Sequence, residues 1–310
     1  MDRPQGVKYV PAIAEPTQAK FERVPKEEIL GHGHLACPGC GAALSMRLAL
    51  KALGRRVMIA GPACCWAVCD GPWPYSATGV PFLHCAFETA ASTACGIRAG
   101  LAARGIDDIT VMTWAGDGGT FDIGLQALSG AAERNDDFLY VCYDNEAYMN
   151  TGVQRSSATP ELAWTTTTPP GAMPKLQPKK NMGEIVCAHR APYFATATVA
   201  YPEDLIAKFE KAGRTRGFRM IHLLSPCPPG WKSEERLGIS LARRAVESRV
   251  FPLYEVEGGT KWRLTVDVPK RPVAEYLKDQ GRFAHLTAEQ VKQIQGHVDA
   301  EWEVLKKKLV

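Results

Sequence analysis

Short apolar runs alternate with helix-like segments along the first three quarters of the chain. Five runs have the length and composition of buried strands: 57–61, 109–114, 138–143, 193–200 and 218–224. Apolar residues recur at helical spacing, or follow helix-start signals, in the segments between them: 42–53, 88–104, from 121 onward, 181–189 and from 202 onward. Such alternation is typical of an α/β protein.

The remaining segments divide the chain into three parts. Residues 1–30 are rich in Pro and predict an extended N-terminal arm, and residues 31–232 form the main domain. Residues 233–310 predict a C-terminal extension with a helix at 233–247, a hairpin of 253–256 with 262–266, and a last helix at 288–309. Within the main domain, residues 71–87 and 151–180 are predicted to be loops.

Composition excludes several classes of protein. A chain of 310 residues with 45% hydrophobic and 23% charged residues can bury a full α/β core. The net charge of +4 is small and the basic residues are dispersed, so nucleic-acid binding is not expected. We find no apolar stretch of membrane-spanning length and no signal peptide, and we therefore expect a cytoplasmic protein with no membrane contact. In that setting its ten cysteines are thiols or metal ligands rather than disulfides.

The stretch from Trp114 to Gly152 carries the most specific signal. The turn Gly116-Asp117-Gly118-Gly119 follows one predicted strand, and Asn145 follows the next, about 26 residues later. Glycines let a backbone approach phosphate, and a helix N-terminus presents free N–H groups to it. The side chains of Asp117 and Asn145 supply the oxygens that Mg²⁺ prefers. The pattern predicts a site for a diphosphate and a hard cation.

Cysteines at separate places in the chain form a second pattern. Cys37 and Cys40 make a C-x-x-C that can bind one metal centre, although a redox dithiol has the same spacing. Cys64 and Cys65 follow one predicted strand and Cys227 follows another, at the edge of the sheet where the glycine turn is also expected. The residues alone leave open which of Cys64 and Cys65 joins the others.

These motifs together resemble the β subunit of pyruvate-type 2-oxoacid:ferredoxin oxidoreductases. The resemblance covers most of residues 31–257, in order and spacing. It is carried by the segment around Cys37 and Cys40, by P-W-P-Y at 72–75, by G-D-G-G-T-F-D-I-G-L-Q-A-L-S-G from Gly116, by Y-D-N-E-A-Y-M-N-T-G from Tyr143, and by S-P-C-P-P-G-W from Ser225.

The resemblance implies a three-layer, mostly parallel sheet of the thiamine-diphosphate-binding fold. It implies that Asp117, the Asn145 side chain and the Ala147 carbonyl hold Mg²⁺, and that Asn150 faces the reacting carbon. Gly116, Gly118 and Gly119 would border the diphosphate. A [4Fe–4S] cluster would be bound by four thiolates, those of Cys37, Cys40, Cys65 and Cys227. Counting along the family pattern favours Cys65 over Cys64 as the third ligand.

The implied reaction is the oxidative decarboxylation of a 2-oxoacid, with electrons leaving singly through iron–sulfur clusters to ferredoxin. An α subunit would supply the glutamate that thiamine diphosphate requires, and γ- and δ-type subunits would carry further clusters. The chain departs from the family pattern in having A-C-C before the third ligand, an extra Cys69, and Thr89 in place of an Asn. Pyruvate is the expected substrate, oxalate or a branched-chain 2-oxoacid are alternatives, and coenzyme A use depends on the partners.

Two other functions are compatible with parts of the pattern. One is a non-redox thiamine decarboxylase or ligase subunit whose four cysteines bind structural zinc, since Zn²⁺ also accepts four thiolates. The other is a scaffold or electron-transfer subunit without thiamine binding, which the presence of both Asp117 and Asn145 disfavours.

Overall fold

The computed structural model describes residues 24–72 and 74–309. The arm predicted for residues 1–30 lies outside the described residues as far as position 23. Its last part is anchored, because the Ile29 and Leu30 side chains are buried and Leu30 bridges to Thr78. Among these described residues, no helix is both long and apolar enough to cross a membrane.

A single eight-stranded sheet forms the centre of the molecule. Its strands in chain order are β1 Val57–Pro62, β2 Phe82–Cys85, β3 Thr110–Gly116, β4 Leu139–Asp144, β5 Tyr193–Thr198, β6 Arg219–Leu224, β7 Tyr254–Glu257 and β8 Lys261–Leu264. Across the sheet the order is β2-β1-β3-β4-β6-β5-β7-β8. The first six strands in this order are parallel. The last two are antiparallel, because β7 pairs antiparallel with β5 and β8 pairs antiparallel with β7. The α/β fold class expected from the sequence is confirmed.

The helices lie between the strands or follow them. They are α1 Gly41–Leu53, α2 Cys65–Cys69, α3 Ala90–Ala103, α4 Leu125–Glu133, α5 Met182–Ala188, α6 Pro202–Arg214, α7 Pro228–Trp231, α8 Gly238–Glu247, α9 Val273–Leu277 and α10 Ala288–Lys306. A π-helical turn covers Gly118–Ile123, and 3-10 turns cover Glu235–Leu237 and Gly281–Phe283.

The sheet separates two apolar cores, because successive strand residues point to opposite faces. Val141 and Tyr143 pack on one side with α1 and α6. Tyr140 and Cys142 pack on the other side with α3, α4 and α5. The resulting helix–sheet–helix sandwich is the three-layer arrangement expected from the resemblance.

Several local predictions were wrong, each where tertiary contacts override the pattern. Residues 71–87 are not only a loop, since they contain the edge strand β2, which pairs with β1. The helix expected from Phe121 is preceded by the π-helical turn that begins at Gly118. The short helices α2, α7 and α9 were missed because each is too short to show a helical repeat. The predicted hairpin is present, and it extends the central sheet through pairing of β7 with β5.

The topology brings distant segments to one edge. In a parallel sheet all carboxyl ends of the strands lie on the same side. The segments after β1, β3, β4 and β6 therefore meet there, and they begin with Ala63, Asp117, Asn145 and Ser225. The amide of Gly41 at the start of α1 donates to the Pro226 carbonyl at 2.9 Å, which adds the segment of Cys37 and Cys40 to this edge.

Candidate functional site

A cleft of about 240 Å³ opens at the carboxyl edge of the sheet. Every residue expected at the diphosphate and cation site lines it, together with Cys65 and Asn150. Its walls are otherwise mainly apolar or aromatic: Ala63, Ala67, Val68, Phe87, Tyr143, Tyr148 and Met149. Residues from three separate strand ends thus share one concave surface.

The glycine turn forms one wall of the cleft, and neighbouring aromatic rings leave no room there for a side chain. A Cβ on Gly118 would lie 2.3 Å from the Tyr148 ring, and one on Gly119 would lie 3.2 Å from the Phe87 ring. Tyr148 is itself held, because its hydroxyl donates to Asp122 at 2.7 Å. The two glycines therefore let the Tyr148 and Phe87 rings pack directly on the backbone after β3. The lack of side chains on this backbone is also the condition for a close phosphate contact.

Three oxygen atoms converge beside this turn. The amide oxygen of Asn145 lies 2.9 Å from the Ala147 carbonyl oxygen and 2.8 Å from Asp117 Oδ1, and it faces no hydrogen-bond donor. Oxygens on adjacent corners of an octahedral Mg²⁺ site lie about 3.0 Å apart, because each is about 2.1 Å from the ion. The donor types and spacings thus fit a magnesium ion, which would replace oxygen–oxygen repulsion with coordination.

Backbone strain at Glu146 helps to bring these oxygens together. Glu146 has φ of 72°, in the left-handed region that non-glycine residues rarely adopt. This conformation turns the chain between Asn145 and Ala147. Ion pairs hold it there, because the buried Glu146 carboxylate accepts from Lys179 at 2.9 Å and from Arg282 at 2.6 Å.

The positive charge near Asp117 is too small to offset the burial of its carboxylate. Burial, together with the Asp144 carboxylate, raises the pKa of Asp117 well above its ordinary value, against the opposing effects of Ser156 and Lys179. Burial has the same tendency at Asp144, but the Lys179 ammonium and His222 hold the pKa of Asp144 below its ordinary value. A divalent cation at the oxygen cluster would supply the charge that an ionised Asp117 lacks.

The cysteines gather beside the same edge. The thiols of Cys37, Cys40, Cys65, Cys69 and Cys227 lie within electrostatic reach of one another. Burial is the main cause that raises the pKa values of Cys40, Cys65, Cys69 and Cys227, to about 12 for Cys69 and Cys227, and repulsion between neighbouring thiolates adds to it. Thiols in such a group are ionised when a metal centre neutralises them.

The structure distinguishes Cys64 from Cys65. The Cys64 thiol points into the core toward the Trp114 carbonyl at 3.9 Å, beside the Tyr143 hydroxyl. The Cys65 thiol lies 3.9 Å from Asn145 Nδ2, on the side of the other cysteines. Of the two, Cys65 is therefore the thiol on the side of the other cysteines, and Cys69, one helical turn later, offers a fifth thiol.

No disulfide occurs, as all ten cysteines are free. Within residues 24–72 and 74–309, no three Cys, His, Asp or Glu side chains are placed compactly enough to hold a metal ion. A tetrahedral zinc site would need thiolates about 3.8 Å apart, as follows from Zn–S bonds of about 2.3 Å. In a four-iron cluster each thiolate binds a different iron, so the sulfurs stand further apart.

Several residues that build the site escaped sequence reasoning. The buried Ser156 hydroxyl donates to Asp117 Oδ2, Lys179 pairs with both Asp144 and Glu146, and the His222 ring bonds Asp144 at 2.7 Å. The indole N–H of Trp231 donates to the Asn145 carbonyl at 2.9 Å. Ser156 and Lys179 come from the long loop at 151–180, whose length was the only signal of their role.

Comparison with known proteins places the chain in a family. Residues 72–223 match the family described as "Thiamine pyrophosphate enzyme, C-terminal TPP binding domain". The chain is 51% identical over 294 residues to ketoisovalerate oxidoreductase subunit VorB of Pyrococcus horikoshii, covering 92% of this chain and 94% of the relative. It is 48% identical over 287 residues to pyruvate synthase subunit PorB of Methanothermobacter thermautotrophicus, covering 92% and 99% respectively.

The chain belongs to the β subunits of the 2-oxoacid:ferredoxin oxidoreductases. It is therefore a subunit of an oxidoreductase. A solved structure of a 2-oxoglutarate:ferredoxin oxidoreductase from Magnetococcus marinus has the same fold, with a TM-score of 0.57. That alignment covers 87% of this chain and 95% of the other, at 21% identity.

The ion pairs behind the oxygen cluster predict a large effect of Lys179→Met on this β subunit. Removing the ammonium leaves the buried Asp144 carboxylate with only the His222 ring and the buried Glu146 carboxylate with only Arg282. Breaking a buried ion pair in this way costs about 3–5 kcal/mol in the free energy of unfolding. Chemical denaturation would measure it. Lys270→Met is a matched control, because Lys270 and Asp299 are both about half exposed and their pair is worth about 0–1 kcal/mol. Equal losses in the two variants would contradict the assigned role of Lys179.

The same substitution should change the pH dependence of stability. A carboxyl with a lowered pKa stabilises the fold fully above its ordinary pKa of 3.8, and this contribution is lost as the pH falls through the lower folded-state value. Without Lys179 the pKa of Asp144 rises toward its ordinary value or above it, so Asp144 should contribute a smaller loss of stability on acidification in Lys179→Met than in the wild type. An acid titration of unfolding free energy on both proteins would show a shallower fall below about pH 5 in the variant.

Close packing at the glycine turn predicts the outcome of Gly118→Ala. The new methyl group would push the Tyr148 ring away and narrow the approach to the backbone. We expect affinity for Mg²⁺ with thiamine diphosphate to fall at least tenfold, about 1.4 kcal/mol, in calorimetric titrations. Gly296→Ala is the control, since a Cβ there meets nothing within 4 Å and should leave affinity unchanged. Unaltered binding in Gly118→Ala would exclude this turn from the cofactor site.

Proposed function

We propose that this β subunit binds thiamine diphosphate with Mg²⁺ and carries a [4Fe–4S] cluster beside it. In a complex with partner subunits, it would oxidatively decarboxylate a small monocarboxylic 2-oxoacid. The single observation that carries the proposal is the position of Asn145. One end of its side-chain amide lies 2.8 Å from Asp117 Oδ1 and 2.9 Å from the Ala147 carbonyl oxygen, while the other end lies 3.9 Å from the Cys65 thiol. One side chain thus borders both cofactor sites.

The described residues have suitable positions for each cofactor. Mg²⁺ would be held by Asp117, the Asn145 side chain and the Ala147 carbonyl, with the diphosphate on the backbone of Gly116, Gly118 and Gly119. The cluster would be bound by four thiolates, Cys37, Cys40, Cys65 and Cys227. Asn150 is an exposed side chain at the mouth of the cleft, where it would contact the substrate.

The chemistry divides between cofactors and protein. Thiamine diphosphate supplies the electron sink for decarboxylation, and the cluster takes electrons one at a time. The protein orients both groups at one edge of a rigid sheet. Apolar walls such as Phe87 and Met149 exclude water from the cleft, which strengthens electrostatic interactions within it.

The cleft favours a substrate with a single carboxylate and an apolar side chain. Among its described lining residues Asp117 is the only charged one, so the described part of the cleft offers no cation for a second carboxylate. Pyruvate and branched-chain 2-oxoacids meet this condition, whereas oxalate does not. The names of the relatives agree, since one is a ketoisovalerate oxidoreductase subunit and another a pyruvate synthase subunit.

Substrate profiling of the purified complex would test this inference. We expect kcat/KM for pyruvate and for 2-oxoisovalerate to exceed that for oxalate and 2-oxoglutarate by at least tenfold, because the latter two must bury an unpaired carboxylate. Ferredoxin reduction with and without coenzyme A would show which acceptor is used. A preference for a dicarboxylic substrate would overturn the substrate class while leaving the cofactor sites untouched.

The proposed complex needs further subunits. An α subunit would supply the glutamate for the aminopyrimidine ring of the cofactor, and γ- and δ-type subunits would pass electrons to ferredoxin. We expect the isolated chain to lack activity. Free thiols at all ten cysteines agree with a cytoplasmic location, where disulfides are rare.

The proposed cofactor sites predict separable mutant effects in the assembled complex. Asp117→Ala should abolish Mg²⁺-dependent binding of thiamine diphosphate and leave the cluster absorption near 400 nm intact, because it removes an oxygen ligand only. Cys227→Ser should do the reverse. Activity unaltered by both substitutions would refute the site assignment.

Cys65 and Cys69 form a matched pair for the choice of cluster ligand. Cys65→Ser should lose the cluster, whereas Cys69→Ser should retain it. Anaerobic purification with metal analysis distinguishes an iron–sulfur cluster from structural zinc. We expect iron and acid-labile sulfide on the order of one cluster per chain. A colourless protein with stoichiometric zinc would support the non-redox function instead.

A further inference from the structure

The main chain of Asn145 is fixed, while its side-chain amide has two possible orientations. Its backbone N–H donates to Asp117 Oδ1 at 3.3 Å, and its carbonyl accepts the Trp231 indole N–H at 2.9 Å. The residue is nearly fully buried, at 6% exposure. A half-turn of the amide group exchanges its oxygen and nitrogen without moving the backbone.

The two orientations satisfy different neighbours. With the oxygen toward Asp117 and Ala147, the NH₂ group points at the Cys65 sulfur, 3.9 Å away. With the amide turned, the NH₂ group donates to the Ala147 carbonyl at 2.9 Å and to Asp117 at 2.8 Å. In that second orientation the amide oxygen faces Cys65 in place of the N–H donor.

Cation binding selects between these orientations. Without a cation the turned amide replaces two oxygen–oxygen contacts with two hydrogen bonds, and is therefore favoured. A divalent cation among the oxygens requires the amide oxygen as a ligand. The N–H group must then point toward Cys65, because an amide cannot present its oxygen to both sides.

We propose that the Asn145 amide couples cation binding at Asp117 and Ala147 to hydrogen bonding at the Cys65 sulfur. Loading Mg²⁺ would add an N–H donor to this thiolate and so raise the one-electron reduction potential of the centre it serves, since donors to cluster sulfurs stabilise the reduced state. The cluster would accept electrons more readily when the cation site is filled. This inference rests on the proposed function in taking Asp117 and Ala147 as part of the cation site and Cys65 as a cluster ligand.

The direct test follows the amide nitrogen by pulsed EPR. The complex is assembled with ¹⁵N-labelled asparagine side chains, and the reduced cluster that Cys65→Ser eliminates is observed with chelator, with Mg²⁺ alone, and with Mg²⁺ and thiamine diphosphate. We expect a ¹⁵N coupling that appears on loading Mg²⁺ and is absent in Asn145→Asp, which keeps an oxygen ligand but has no N–H. The same coupling in all states, or none in any, would overturn the proposal.

Redox titrations separate this effect from the through-space charge of the cation. The positive shift of the potential on loading should be larger in the wild type than in Asn145→Asp. Asn181→Asp is the matched control, because it makes the same substitution at the N-cap of α5, where an aspartate caps equally well, and it should behave as the wild type. Equal shifts in wild type and Asn145→Asp would show that the charge of the cation alone changes the potential, and would overturn the proposal.

Failure of this inference is distinguishable from failure of the proposed function. If Cys65→Ser eliminates no cluster signal, the ligand assignment is wrong. If it does eliminate one, and Asp117→Ala abolishes Mg²⁺-dependent binding of thiamine diphosphate, both cofactor sites are correct. An amide that then shows no dependence on the cation means that Asn145 does not couple them.

Discussion

The structure depends on an excess of buried oxygen atoms at the carboxyl edge of a parallel sheet. Asp117 and Ala147 each place an oxygen within 3 Å of the Asn145 side-chain amide, at 2.8 and 2.9 Å, and the Asp144 carboxylate lies near Asp117. Such an arrangement is unfavourable unless positive charge balances it. Much of the surrounding structure can be understood as the supply of that charge or as the means of keeping the oxygens in place.

The loop at 151–180 and the C-terminal region provide this supply. Lys179 pairs with Asp144 and Glu146 from one side, and Arg282 pairs with Glu146 from the other. They hold the left-handed Glu146, and neither of them forms an ion pair with Asp117 among the described residues. The charge network thus stabilises the strand end behind the cleft, while the oxygen cluster lies beside the glycine turn.

Sequence reasoning succeeded where the signal is local. The five predicted core strands are present because their apolar runs are buried on both faces, and the G-D-G turn with Asn145 lies where strand order alone predicts. It failed for β2, whose exposed residues lack an apolar run, and for the π-helical turn, which forms because Gly124 packs directly on the Gly119 carbonyl. Neither feature has a periodicity that could be detected in one sequence.

By itself the sequence determined the α/β class, the family resemblance, and the residue types at the candidate site, because strand ends and glycine turns are encoded by neighbouring residues. Only the tertiary structure decided which thiol of the Cys64 and Cys65 pair faces the other cysteines, that Cys69 joins them, and that Lys179 and Arg282 meet at Glu146. These outcomes depend on contacts between segments up to 136 positions apart, and side-chain direction at such contacts is set by packing rather than by local pattern.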